Sequence, residues 1–167
     1  MIKKIFLITA GLLFPLITNA GEPVYQLDGK DGNWSAFHYY DPQLQKVTAC
    51  FALSNDLTLG FKSNDEGVGL LLWDKQGNLV PKTDSKAAIT VGKQHFIFMM
   101  QAMDKNISMN RLTETDFKGL LQALSYGQIA LLEYQKHPVS MVDLSGLPNM
   151  LVKFHQCIEK AKFKDYK

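Results

Sequence analysis

Two cysteines, four histidines and a few close-set carboxylates are the residues with which this 167-residue chain could do chemistry. Cys50 and Cys157 stand too far apart for a redox C-x-x-C pair. Joined as one disulfide they would leave neither sulfur free as a nucleophile or a metal ligand; two separate buried thiols are the alternative. The histidines His38, His95, His137 and His155 lack metal-ligand spacing such as H-x-x-x-H. His95 followed by Met99, Met100 and Met103 has the donor types for Cu(I), since thioethers and imidazole suit that ion. On a strand, however, Met99 and Met103 share a face with His95 while Met100 points the other way, and a core strand filled with methionine accounts for the run better. No metal and no cofactor is assigned. The carboxylates Asp65 with Glu66 and Glu114 with Asp116 fall in a loop and at a helix start, where solvation and the helix dipole explain them. No serine lies in a G-x-S-x-G elbow, Ser125 and Ser145 fit helix ends, and no glycine-rich phosphate loop is present. The expectation is therefore a protein without catalytic residues.

The element that must position Cys157 is the stretch Val139 to Ala161. It reads as a short strand to Asp143, a bend from Leu144 to Pro148, and a helix. Leu147, Met150, Leu151, Phe154, Ile158 and Ala161 recur at intervals of three and four, which gives the helix one apolar face with Cys157 at its edge. Cys50 falls in a strand, Gln45 to Leu53, so a Cys50–Cys157 bond would staple the helix to that strand. Around it the pattern is that of strands. After a polar lead-in from Gly21 to Gly32 come Asn33 to Tyr40, Gln45 to Leu53, Leu57 to Phe61, Val68 to Trp73, a restart at Leu79-Val80, Ala87 to Val91, Phe96 to Ala102 and Ile107 to Leu112. A short helix follows, capped by Thr113 or Thr115 and stopped by a left-handed Gly127. Gln128 to Tyr134 and Val139 to Asp143, either side of Lys136-His137-Pro138, complete a further hairpin. The fold expected is mainly β: an antiparallel β-sandwich with one short helix and a C-terminal helix packed on it.

The first residues set an address. Lys3-Lys4, the apolar run Ile5 to Ile17 and the small-residue site Thr18-Asn19-Ala20 read as a signal peptide over 1–20, leaving 21–167 as a single β-rich domain. A retained anchor is the alternative, but the run is short and broken by Gly11 and Pro15, so no stable membrane insertion is expected after cleavage. The location expected is periplasmic or secreted. Without Lys3 and Lys4 the basic count falls from 18 to 16 and equals the 16 acidic residues, so the charge gives no reason to expect nucleic acid as a partner. Lys153, Lys160, Lys162, Lys164 and Lys167 read as a solvated helix face and tail. Two stretches could recognise a partner, the aromatic strand Trp34 to Tyr40 and the loop Ser63 to Gly67, although half-buried strand and ordinary turn explain each of them.

Gly32-Asn33-Trp34 opening a strand, Cys50 on the next one, a helix ahead of a hairpin, and Val-Ser-Met-x-x-Leu-Ser-Gly-Leu from Val139 to Leu147 together resemble the invasion-associated locus B family of bacterial exported proteins. Members of that family often carry a further cysteine soon after the tryptophan; Phe37 and His38 occupy that region here. The resemblance implies a non-enzymatic β-sandwich in the periplasm or at the outer surface, associated with host-cell entry, and brings no catalytic residues. The function expected is that of an exported binding protein acting through contacts with a protein partner in the envelope or at the host interface. A periplasmic inhibitor or immunity protein against a cell-wall enzyme, and a small-ligand or copper carrier, are the alternatives.

Overall fold

The computed structural model describes residues 22, 24–135 and 139–164. The leader expected over 1–20, the turn Lys136-His137-Pro138 and Lys167 lie outside them. The elements are β1 (Val24–Asp31), β2 (Trp34–Asp41), β3 (Lys46–Ser54), β4 (Leu59–Asn64), β5 (Gly67–Trp73), β6 (Asp84–Val91), β7 (Gln94–Ala102), β8 (Ile107–Arg111), α1 (Glu114–Tyr126), β9 (Ile129–Tyr134), β10 (Ser140–Asp143) and α2 (Leu147–Ala161).

All ten strands pair antiparallel in one curled sheet of order β1-β2-β3-β4-β5-β8-β7-β6-β9-β10. A mainly β fold was expected and is found, but the strands do not divide into two stacked sheets. The reason is the seam between β5 and β8, where Gly69 pairs with Arg111 and Trp73 with Ile107, joining the first five strands edge to edge with the rest. The second layer is made by α1 and α2, which lie on one face of the sheet and bury it. Their core unites Trp34, Leu59, Phe61, Leu70 and Leu72 from the strands with Phe117, Leu120, Leu124, Phe154 and Ile158 from the helices, and the Phe61 and Phe117 rings meet edge-on at 6.0 Å.

The C-terminal helix forms as its periodicity predicts: Leu147, Met150, Leu151, Phe154, Cys157 and Ile158 are buried along one face. Cys50 and Cys157 are joined by a disulfide with their Cα atoms 6.0 Å apart. Thr113 caps α1, its Oγ1 accepting from the Asp116 amide at 3.2 Å. Gly127 does not end α1 in the left-handed conformation, having φ −81°. Glycine is needed there for space instead, because a β-carbon would meet Val91 Cγ1 at 2.5 Å. Val24–Asp31 is a strand rather than a polar lead-in, and residues 79–80 form none.

The curl brings the two ends of the sheet together at one corner. The Asn33 amide donates to the Ser145 carbonyl at 2.9 Å, and the indole N–H of Trp34 donates to the Asp143 carbonyl at 2.9 Å. Gly32 and Gly146, at φ +48° and +84°, make the contact close: a β-carbon on Gly146 would fall on the Asp31 carbonyl oxygen. The turn after β1 is thus locked to the bend before α2.

Candidate binding groove

Because the helices cover one face, side chains of opposite parity stand on a face that no helix covers. The register lays them out in rows. Leu27 pairs with Phe37, Phe37 with Phe51, Phe51 with Lys62, and Lys62 with Gly69. The next row runs from Leu53 through Gly60 and Leu71 to Met109, and the next pairs Trp73 with Ile107. Apart from the two glycines, these residues together with Tyr25 and Met103 line a groove of about 610 Å³, a size usual for small-molecule sites.

Its aromatic wall is ordered. Phe37 and Phe51 stack at 4.9 Å, and the Tyr25 ring packs 5.7 Å from Phe37 and 4.8 Å from Tyr39. The floor is low because of two glycines: a β-carbon on Gly60 would run into Leu53 Cδ2, and one on Gly69 would press Met109 at 3.1 Å. Beyond the groove the same face is mixed: Ile97, Met99, Leu131 and Met141 are exposed among Lys86, His95, Gln101 and Glu133, so the contiguous apolar set is the groove itself. Isolated exposed apolar residues are normal, whereas a contiguous set marks an interaction surface.

Lys62 is the single charged residue lining the groove. It is half-buried, and among the described residues it makes no ion pair. The cations on either side are engaged: Arg111 Nη2 binds Glu66 Oε2 at 2.6 Å and Lys46 Nζ lies 3.7 Å from Asp65 Oδ2. A larger hollow, about 790 Å³, lies at the Gly127–Ile129 and Ser145–Pro148 bends. Its carboxylate, Asp143, is taken up by the Ser145 amide and hydroxyl, so it offers less to a ligand than the groove does.

A second cluster, Asp28, His38 and Cys157, has one donor atom of each within 4.8 Å of the others. His38 Nδ1 lies 2.9 Å from both Asp28 oxygens. The Cys157 sulfur is bonded to Cys50 and has no thiolate to offer, so the set has two metal donors and not three. In the turn after β3, Asp56 is buried in part, which works to raise its pKa. Hydrogen bonds from Ser54 Oγ at 2.6 Å and from the Thr58 hydroxyl and amide at 2.7 and 3.1 Å outweigh that, Lys75 adds to them, and the carboxyl is held below its usual range. This is a turn lock.

The residues singled out in the sequence fall on both sides of the sheet. Trp34 is in the core, while Phe37 lines the groove and Tyr39 packs on its Tyr25. The loop expected over Ser63 to Gly67 is shorter: Ser63 and Asn64 end β4, Gly67 opens β5, and only Asp65 and Glu66 turn the chain, both in the ion pairs just given. His95 is exposed and 2.8 Å from Thr90 Oγ1. Met99 and Met103 share its face, exposed, and only Met100 enters the core, so the strand is not a methionine-filled core strand. Tyr25, Lys62, Leu71, Trp73 and Met109 were not foreseen. The signal for Leu71 and Trp73 was the unbroken apolar run Val68 to Trp73, which requires apolar side chains on both faces of β5; Tyr25, Lys62 and Met109 depend on the register. No helix among the described residues is long and apolar enough to cross a membrane. No protein-family model, curated protein or solved structure matches the chain.

Proposed function

We propose that this protein is an exported, non-catalytic binding module and that the helix-free face is what it binds with. The observation that carries the reading is the groove itself: an ordered apolar depression left open on one face of a sheet whose other face is fully used by the core. The disulfide agrees with an oxidising compartment. The resemblance of Gly32 to Trp34 and Val139 to Leu147 to the invasion-associated locus B family supports the same class of function. The resemblance favours a protein partner; the volume of the groove favours a small apolar ligand.

Trp73 in the groove and Trp34 in the core are the two tryptophans of the chain, so a ligand should change the emission of the first and leave the second alone. Titration with an apolar probe is expected to saturate at one site per chain. Tyr25→Asp with Leu27→Asp should weaken it at least tenfold without lowering the melting temperature, because both side chains are more than half exposed. Recovery of a chemically altered ligand, with the alteration abolished by changing one groove residue, would replace the binding module by an enzyme.

A further inference from the structure

We propose that the groove takes a single-chain amphiphile with an anionic head, the head held by the Lys62 ammonium and the chain laid along Leu53, Leu71 and Met109 toward Trp73. This rests on reading the groove as the binding site. The walls ask for a hydrocarbon, and the one charge among them is a cation that has no ion-pair partner among the described residues. A charged group drawn partly out of water is costly unless paired, and every nearby carboxylate named above is held by another cation. A ligand anion would supply the missing pair as a charge-assisted contact, which is the strong kind.

Position matters as much as charge. Lys62 stands within the apolar rows, between Phe51 and Gly69. Gly69 beside it and Gly60 two residues back on the same face let Met109 and Leu53 lie down against the sheet, which keeps the floor of the groove apolar and low. From Gly69 to Trp73 the strand runs about 13 Å, room for an extended alkyl chain leading away from the ammonium. A ligand of the opposite polarity, with a cationic head, would meet repulsion at the same place.

The test uses the disulfide-bonded mature protein, Trp73 emission and calorimetry, with four twelve-carbon probes: dodecanoate, dodecyl phosphate and dodecyltrimethylammonium below their micelle concentrations, and dodecanol below its solubility limit. Vesicles of anionic phospholipid form a fifth arm. The two anionic probes should bind at least tenfold more tightly than the cation. Lys62→Met, which keeps most of the side-chain bulk, should lose about tenfold for the anions, the scale of a hydrogen bond to a charged group, and leave dodecanol unchanged; Lys62→Arg should restore anion binding. Preference between dodecanoate and the phosphate tells which head the site is built for. Equal binding of anion and cation, or of dodecanoate by wild type and Lys62→Met, overturns the anionic head while leaving the groove as a site. Binding to vesicles with no free probe bound overturns it in favour of a membrane-docking face. If no probe moves Trp73, the groove is not a ligand site and the reading beneath this one fails as well.

Discussion

Replacing both cysteines, C50A with C157A, separates the two forces that hold the C-terminal helix. The bond closes a span of 107 residues, and the chain-entropy expression, 2.1 plus 1.5R ln n, gives about 4.8 kcal/mol at 25 °C. Against it stands the packing of Leu147, Met150, Leu151, Phe154 and Ile158, all buried. At about 1.5 to 3 kcal/mol for each side chain, they contribute roughly 7 to 15 kcal/mol as an upper estimate. Packing therefore exceeds the link, and the variant should fold with its helix in place while being less stable. With a urea slope of about 2 kcal/mol per molar, the midpoint should fall by about 2 M, and truncating two buried side chains adds to the loss. The assay is urea unfolding followed by near-ultraviolet circular dichroism. A shift below about 0.5 M would refute the entropy argument. Loss of the native spectrum in the absence of urea would refute the packing argument, because the helix would then depend on the bond.

Gly146→Ala should cost about 2 to 4 kcal/mol, since it places a β-carbon on the Asp31 carbonyl oxygen at a positive φ. Gly92→Ala, with φ +59° and nothing within 4 Å of the added carbon, should cost about 1 kcal/mol; equal losses in thermal melts of the two would show that the corner is not sterically closed. For Asp56 the folded pKa is lowered, so its stabilising contribution is complete above the unfolded value of 3.8 and disappears as pH falls through the lower folded value. Asp56→Asn should accordingly show a shallower loss of stability below about pH 4 than wild type, measured by urea midpoints across pH; parallel curves would remove Asp56 from the account.

What the sequence disclosed was local and periodic. The 3.6-residue recurrence from Leu147 to Ile158 needs no partner to be read, and two cysteines in one chain have one simple pairing. Alternation failed where the backbone slips. At Asp28 and at Thr48 an extra residue is inserted, so Val47, which strict alternation would put on the face of Phe51, lines instead a hollow with Asp28, His38 and Cys157, and β1 lacks the alternation of a strand. The single sheet was out of reach because it depends on β5 choosing β8, far along the chain, as its neighbour. The groove was hidden for the same reason: Gly60 and Gly69 are ordinary glycines until register sets them between Leu53, Leu71 and Met109.

The corner where Asn33 and Trp34 meet Asp143 and Ser145 also governs when in its biosynthesis the chain can fold. A nascent polypeptide that has emerged only as far as residue 140 holds its first strands without the carbonyls that receive Trp34, without the helix that covers β1 to β3 and without the cysteine that binds Cys50. Contacts over such separations close late, because the loop entropy comes before the reward. The domain matures only when almost all of it is free. If the chain is exported as proposed and crosses a membrane as an extended thread, that delay would keep the portion still inside the cell from folding before transit is complete.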